Sequence, residues 1–251
     1  YGLTIAHNTL KKWVARIHQT TDLTLAPSKW ARRDLEATGV KNVEIWKRGV
    51  DLVKFDPARR DESLRENIRG KDSGKLIVGY VGRLANEKRI DDLAILDRQA
   101  DIQLVIVGGG PAEARLKREL PNARFVGYQS GDELGRYVAS FDIFVHTGKH
   151  ETFCQAIQEA LAAGVPVIGP DTGGPVDLIE HGITGLLIDT ADSYALLEAA
   201  STLRNHSAFD LMQVAARRSV EHRTWDYINS QLISHYQDAI DQLSKERGLV
   251  A

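Results

Sequence analysis

LIVGYV followed by GRLANEK, residues 76–88, is the stretch that decides the fold of this 251-residue chain. The apolar run from Leu76 to Val81 is typical of a strand that is buried on both faces, as in parallel sheets covered by helices. Residues Gly82 to Lys88 then form the turn at the carboxyl end of that strand. Because ligands of open α/β sheets bind at the carboxyl ends of the strands, this turn is predicted to border a binding site.

Strands and helices alternate along the rest of the chain, which predicts an α/β fold, a Rossmann-like doubly wound parallel sheet. Near the N-terminus we expect a helix over residues 10–17 and a second helix that begins after Ser28 as its N-cap. The charged segment 59–74 is the one linker-like stretch. The other predicted strands cover residues 22–26, 43–46, 103–107, 124–126, 143–146, 165–168 and 185–188. Three predicted helices cover residues 191–203, 209–220 and 226–243.

A second informative stretch, HETFCQAIQE, covers residues 150–159. Thr152 followed three residues later by Gln155 is the pattern of a capping box, in which the two side chains satisfy amides at the start of a helix. The helix is therefore predicted to begin near Phe153. Gly164 and Pro166 are expected to end it.

Two carboxylates flank the start of this predicted helix. Glu151 is expected just outside the helix and Glu159 about two turns inside, so their backbones would lie roughly 12 Å apart. That distance is too long for a shared proton transfer, but it suits contacts to two sugar rings across a diphosphate. The first-turn amides, around Phe153 and Cys154, would add an anion site at the positive end of the helix dipole.

Arg83 and Lys88 are the cations of the turn after the first strand. A guanidinium can bind phosphate oxygens in a bidentate manner and an ammonium acts as a point charge, so the pair could neutralise a diphosphate. The alternative is that both side chains form ordinary surface pairs with Glu87 or Asp92. The residues alone leave both interpretations open.

The motifs together resemble a known family. GRLxxEK, then an E-x7-E spacing within ETFCQAIQEA, then AGVPVIG resembles the C-terminal, donor-binding domain of the retaining GT-B glycosyltransferases of family 4. The resemblance extends from Asp22 to the C-terminal helix. Segments 145–155 and 173–179 look most like GDP-mannose-dependent α-mannosyltransferases of bacterial lipoglycan assembly, with sulfoquinovosyl- and diacylglycerol glucosyltransferases as near relatives.

The resemblance implies roles for the first group of residues. Arg83 and Lys88, after Gly82, would bind the diphosphate and assist catalysis as negative charge grows on the leaving group. The loop of residues 127–130, which contains Tyr128, would meet the edge of the base.

It also implies roles for the second group. Glu159 would take the ribose hydroxyls, although a solvated helix carboxylate is the alternative. Glu151, with the amides of Thr152, Phe153 and Cys154, would hold the donor sugar and the distal phosphate, and Glu151 is the third predicted catalytic residue. Cys154 itself, like its neighbour His150, is more simply explained as a local packing or hydrogen-bonding residue, because neither shows metal-ligand spacing.

In the family, residues 1–50 would be the terminal piece of the acceptor-binding domain with its connector. Residues 51–251 would be the nucleotide-sugar-binding domain with its C-terminal helix. The single methionine is Met212, so the chain does not start at a retained initiator. We expect that most of the acceptor-binding half is absent and that this chain alone is inactive.

Composition limits the partners. A formal net charge of −2 provides no basic field, so nucleic acid is not expected as a partner. The single cysteine excludes an intrachain disulfide and suits a reducing compartment. Without a signal-peptide pattern or an apolar run of about 20 residues, we expect a cytoplasmic protein that contacts the inner face of the plasma membrane at most peripherally.

Two glycine clusters allow other interpretations. Gly108-Gly109-Gly110 suggests a dinucleotide-binding fingerprint, but Glu113 stands where the third glycine of that motif belongs, which disfavours NAD. Gly173-Gly174 permits either close approach to a ligand or a plain tight turn.

The function indicated by the resemblance is retaining transfer of mannose from GDP-mannose to a lipid-linked or glycolipid acceptor. The nucleotide sugar would be the donor substrate, and no tightly bound cofactor is expected. No metal is expected either, because the chain has no D-x-D pair. The alternatives are a UDP-sugar-dependent glycolipid glycosyltransferase and a non-catalytic nucleotide-binding module.

Overall fold

The computed structural model describes residues 11–72 and 74–246. It divides into two compact units: one ends at Gly49 and resumes at Arg223, and the other runs from Val50 to His222. The C-terminal helix therefore belongs to the first unit, whereas the sequence interpretation placed residues 51–251 in one domain. The amphipathic pattern predicted that helix but did not identify the surface against which it packs.

The first unit contains a small parallel sheet of β1 (Thr24–Ala26) and β2 (Val43–Ile45). Its helices are α1 (residues 11–18), α2 (Lys29–Ala37) and α10 (Trp225–Glu246). Residue 10 of the predicted first helix lies outside the described residues.

Side-chain contacts hold α2 and α10 in this unit. Ser28 accepts a hydrogen bond from the Ala31 amide at 3.0 Å, which confirms the predicted N-cap of α2. The Trp46 indole donates to the Ile228 carbonyl of α10 at 3.1 Å, and His235 of α10 lies 3.3 Å from the Ile45 carbonyl oxygen. These bonds join α10 to the end of β2.

The second unit is built on a six-stranded parallel sheet with the order β5-β4-β3-β6-β7-β8. Its strands are β3 (Leu76–Val81), β4 (Ile102–Val107), β5 (Arg124–Gly127), β6 (Ile143–Val145), β7 (Val167–Pro170) and β8 (Gly185–Ile188). The order confirms the predicted doubly wound fold. It reverses between β3 and β6, and in such sheets the crevice outside the carboxyl ends of the strands at this point is where ligands bind.

Helices cover both faces of this sheet. They are α3 (Glu62–Arg69), α4 (Ala94–Asp97), α5 (Glu113–Glu119), α6 (Gly131–Ala139), α7 (Gln155–Ala162), α8 (Ser193–Arg204) and α9 (Phe209–Arg218). Along β3, Ile77 enters one core cluster while Val78 and Tyr80 enter the other. Because both faces are buried, the strand reads as a continuous apolar run.

The charged segment 59–74 contains a helix and is not a linker. Asp61 caps α3 by accepting from the Leu64 amide at 2.9 Å, and Leu64 and Ile68 pack into the core. Arg65 is also buried, where it donates to Asp142 at 2.8 Å. The sequence pattern did not reveal that the charges on this helix have buried partners.

Candidate functional site

Two adjoining pockets lie at the carboxyl ends of β3, β4 and β6, where the strand order reverses. One, of about 390 Å³, is lined by Lys54, Tyr128 and Gln129 among others. The other, of about 400 Å³, is lined by residues that include Lys88 and Glu151. Both include Val81, Gly82 and Arg83. An elongated ligand could therefore lie across the turn that follows β3.

The glycine cluster 108–110 packs the ends of β3 and β4 together. A Cβ atom on Gly108 would lie 2.0 Å from the Gly82 carbonyl oxygen, and one on Gly110 would lie 2.4 Å from the Leu84 carbonyl oxygen. The Leu84 amide donates to the Gly109 carbonyl at 3.0 Å. These close contacts explain why residues 108 and 110 are glycines, and a bound dinucleotide is not needed to account for them.

In this structure Arg83 forms an ordinary surface ion pair, which was the alternative to phosphate binding. Its guanidinium is paired with Glu87, and the Arg83 side chain is 65% exposed. The hydrogen bond from Arg83 lowers the pKa of Glu87. Since an exposed pair of this kind contributes at most about 1 kcal/mol, the Arg83 side chain can turn to a ligand at little cost. Arg83 lines both pockets, so it is placed to contact a ligand that occupies either of them.

Lys88 does not form the surface ion pair with Glu87 or Asp92 that was its alternative. Its ammonium lies 2.5 Å from Glu151 Oε1, so the structure brings together two predicted site residues that are 63 positions apart. The Thr147 hydroxyl donates to the Lys88 carbonyl at 2.8 Å and ties the turn to the segment after β6. Asp92 pairs with Arg89 at 2.7 Å instead.

Glu151 has a second partner that the sequence interpretation did not assign. His146 Nε2 lies 3.1 Å from Glu151 Oε1. Burial acts to raise the pKa of Glu151, but hydrogen bonds from His146 and Lys88 outweigh it, so this pKa lies below the ordinary value. The carboxylate is therefore held in its ionised form.

His146 itself is buried directly after β6, and its ring stacks on Tyr80 with a centroid distance of 6.1 Å. Burial acts to lower the pKa of His146, but the neighbouring Cys154 and Glu151 raise it to about 9. The sequence signal that could have identified His146 is its place as a polar residue directly after the apolar run 143–145. It was missed because the contact of His146 with Glu151 depends on the folded structure.

His146, Glu151 and Cys154 place possible metal-ligand atoms within 4.8 Å of one another. The sequence spacing did not predict this cluster. We assign no metal to it, because the Lys88 ammonium already contacts the carboxylate and a divalent cation would have to displace that partner.

The start of α7 differs from the prediction. Cys154 adopts a left-handed backbone conformation with φ of 73°, and the helix begins at Gln155. Thr152 is therefore not the N-cap and the capping box is wrong. Thr152, Phe153 and Cys154 form a loop before the helix, so its first-turn amides begin at Gln155. This loop passes over Gly174, whose amide donates to the Glu151 carbonyl at 2.6 Å.

Glu159 lies in the second turn of α7 and is partly buried. Burial raises its pKa to about 7, against the opposing effects of the Lys54 ammonium and a hydrogen bond from Gln155. The structure thus does not support a simple solvated carboxylate at this position. Lys54 was not among the predicted site residues, although it lines the same pocket as Tyr128.

Two further predicted positions lie at the surface. The Tyr128 ring is 80% exposed at the mouth of its pocket, next to Gln129, which donates to the Val126 carbonyl at 2.9 Å. His150 is also exposed. Across residues 11–72 and 74–246, none of the helices combines the length and the apolar character needed to span a bilayer.

A family model described as glycosyl transferases group 1 matches residues 61–211. A GDP-mannose-dependent alpha-mannosyltransferase of Mycolicibacterium smegmatis is 45% identical over 246 residues, which cover 97% of this chain and 64% of the relative. An enzyme of the same name from Corynebacterium glutamicum is 45% identical over 230 residues, covering 91% of this chain and 55% of the relative. The chain thus spans less than two thirds of the length of these relatives.

A solved structure shows the same fold. The Anabaena protein HepE in complex with UDP superposes with a TM-score of 0.80 and 19% sequence identity, over 92% of this chain and 68% of the HepE chain. At this identity the likeness concerns the fold alone.

Proposed function

This chain belongs to the glycosyltransferases of group 1, the retaining GT-B enzymes of family 4, and we propose that it is the donor-binding part of an α-mannosyltransferase. The proposed donor is GDP-mannose, and the proposed acceptor is a lipid-linked molecule or a glycolipid. The support for the donor is the GDP-mannose-dependent activity for which relatives that are 45% identical over more than nine tenths of the chain are named.

The observation that carries the proposal is the contact of Lys88 with Glu151, which both line the pocket that adjoins the pocket of Tyr128. It joins an ammonium group to an ionised carboxylate at the reversal point of the sheet. A nucleotide sugar needs both groups there: positive charge for the diphosphate and an acceptor for sugar hydroxyls.

We place the donor across the two pockets. The base would enter the pocket of Tyr128 and Gln129, and the ribose would reach Glu159. The diphosphate would cross the turn beside Arg83 and Lys88, and the mannose would meet Glu151. Lys88 would then exchange its Glu151 contact for phosphate oxygens, where its charge stabilises the leaving group.

The acceptor and the location of the protein follow from the proposed role in lipoglycan assembly. A lipid-linked acceptor would bring the enzyme to the inner face of the plasma membrane as a peripheral protein. An acceptor-binding domain outside this chain would complete the cleft and keep water from the donor. Positioning of two reactants can lower a barrier by about 7 to 11 kcal/mol, so the donor-binding part alone should not transfer mannose.

Calorimetric titration with GDP, UDP, ADP and NAD tests the donor assignment. We expect GDP to bind most tightly, and tighter binding of UDP would replace the GDP-mannose proposal with a UDP-sugar donor. Preference for NAD would overturn the glycosyl-donor site.

A second assay tests the donor-binding role by mixing the chain with labelled GDP-mannose and a glycolipid extract. We expect binding without transfer. Robust transfer by this chain alone would contradict its proposed role as the donor-binding part only.

A further inference from the structure

We propose that His146 is a positioning residue for Glu151, which it holds in the orientation that accepts a hydroxyl of the donor sugar. The inference rests on the proposed function, in which Glu151 meets that sugar. It assigns to a buried side chain between the sheet and the pocket a role in distinguishing nucleotide sugar from nucleotide.

The first argument is that His146 cannot move away from Glu151 easily. Its side chain is only 3% exposed, and its backbone amide donates to the Ile168 carbonyl of β7 at 2.9 Å. Its ring lies nearly parallel to that of Tyr80, with 8° between the planes. The Nε2 donor therefore occupies a fixed place at 3.1 Å from Glu151 Oε1.

The second argument is the close cover over this hydrogen bond. A Cβ atom on Gly148 would lie 3.0 Å from His146 Nε2 and 3.4 Å from Glu151 Oε1. The loop after β6 thus passes directly against both partners. A hydrogen bond to an ionised group that is shielded in this way is stronger than one at the open surface.

The third argument is a division of roles between the two partners of Glu151. Lys88 contacts Oε1 through a long and flexible side chain, which on our proposal turns to the diphosphate when the donor binds. His146 is rigid and stays. Both contacts use Oε1, which assigns the sugar hydroxyl to Oε2. His146 would thus keep the carboxylate oriented when Lys88 leaves it.

The test compares GDP with GDP-mannose in calorimetric titrations of His146→Phe. Phenylalanine keeps an aromatic ring against Tyr80 but has no N–H donor. We expect about a tenfold loss of affinity for GDP-mannose, the size of one charge-assisted hydrogen bond, with GDP within about twofold of the wild type. His146→Gln, which restores an N–H donor, should recover part of the loss.

Two controls make the outcome decisive. His181→Phe removes an exposed histidine of the same unit and should change neither affinity. In a Glu151→Gln background, His146→Phe should add no further loss, because its partner has already changed.

Equal losses for GDP and GDP-mannose, or no loss in His146→Phe while Glu151→Gln weakens GDP-mannose, would overturn the role of His146 and leave the proposed function in place. If Glu151→Gln itself leaves GDP-mannose binding unchanged, the proposed contact of Glu151 with the sugar fails, and the role of His146 fails with it.

Discussion

The backbone amide of Gly174 donates a hydrogen bond to the carbonyl oxygen of Glu151, with 2.6 Å between nitrogen and oxygen. A Cβ atom on Gly174 would lie 2.4 Å from the Phe153 nitrogen, and the preceding Gly173 has a φ of +76°. The two glycines therefore allow the protein's own loop before α7 to come close to this turn, and their close approach is to that loop rather than to a ligand. The turn after β7 thereby supports the backbone that carries Glu151.

Gly174→Ala should push the Glu151 loop out of place. Because the three atoms nearest to the new methyl group all belong to the backbone, we expect a destabilisation of about 1 to 3 kcal/mol. The affinity for GDP-mannose should fall more than the affinity for GDP. Urea unfolding and calorimetry measure the two effects.

Gly74→Ala is the control, since the nearest neighbour of its new methyl group would be Asp72 Oδ1 at 3.7 Å. Unchanged GDP-mannose binding in Gly174→Ala would show that the turn does not support the site.

Arg83→Ala and Lys88→Ala should each weaken GDP binding by about 1.5 to 3 kcal/mol, the scale of charge-assisted hydrogen bonds to phosphate. Guanosine, which has no phosphate, should bind nearly as in the wild type. Calorimetry with both ligands gives the comparison, and Lys71→Ala, an exposed lysine outside both pockets, is the control. Equal weakening of guanosine and GDP would contradict the phosphate assignment.

Much of the fold could be predicted from local sequence signals. The run from Leu76 to Val81 is apolar because both of its faces are buried, and the N-cap at Ser28 depends only on a short-range hydrogen bond. The place of α10 could not be predicted in the same way. Its contacts with Trp46 and Ile45 join residues more than 180 positions apart, and periodicity shows an apolar face without showing its partner.

The site was predictable to a similar extent. The motifs at the ends of β3 and β6 placed Lys88 and Glu151 in one predicted site, since parallel strands bring those ends together, but the direct ion pair between them was not predicted. The start of α7 did not, because Cys154 takes a left-handed conformation that a capping pattern gives no reason to expect. His146 was missed because its importance depends on the three-dimensional position of Glu151.

Asp142→Ala should be among the most destabilising changes in the second unit. The Asp142 carboxylate accepts from Arg60 at 3.0 Å, Arg65 at 2.8 Å, Arg69 at 3.3 Å and the Ile77 amide at 2.8 Å. Its loss would leave the buried Arg65 guanidinium with only the exposed Glu62 as a carboxylate partner, and breaking a buried ion pair in this way costs about 3 to 5 kcal/mol. Urea unfolding measures this change.

The control for Asp142 is Asp132→Ala. The Asp132 side chain is 82% exposed and lies 3.1 Å from Arg59, so its loss should cost at most about 1 kcal/mol. Similar costs for the two substitutions would mean that the arginine cluster at Asp142 does not stabilise the fold.

Nucleotide binding should depend on pH through Glu159. Burial raises the pKa of Glu159 to about 7, and an ionised carboxylate is the stronger acceptor for ribose hydroxyls. Guanosine affinity should therefore fall as the pH is lowered from 8 to 6, and Glu159→Gln should remove most of this dependence. Calorimetry at several pH values provides the measurement. The same pH profile in wild type and Glu159→Gln would exclude Glu159 as its source.

The raised pKa of Glu159 also predicts a cost in stability. The folded state holds the proton up to a pH of about 7, whereas the unfolded chain releases it near the ordinary value of 4.5. The stabilising contribution of the protonated form is thus complete below pH 4.5 and is lost as the pH rises to 7.

Glu159→Gln cannot ionise, so its unfolding free energy relative to wild type should be larger at pH 8 than at pH 4.5. Urea unfolding at both values measures the difference, with Glu66→Gln on the exposed face of α3 as the control for losing one charge. A constant gap between Glu159→Gln and wild type across this range would show that the carboxyl of Glu159 ionises in the fold as freely as in the unfolded chain.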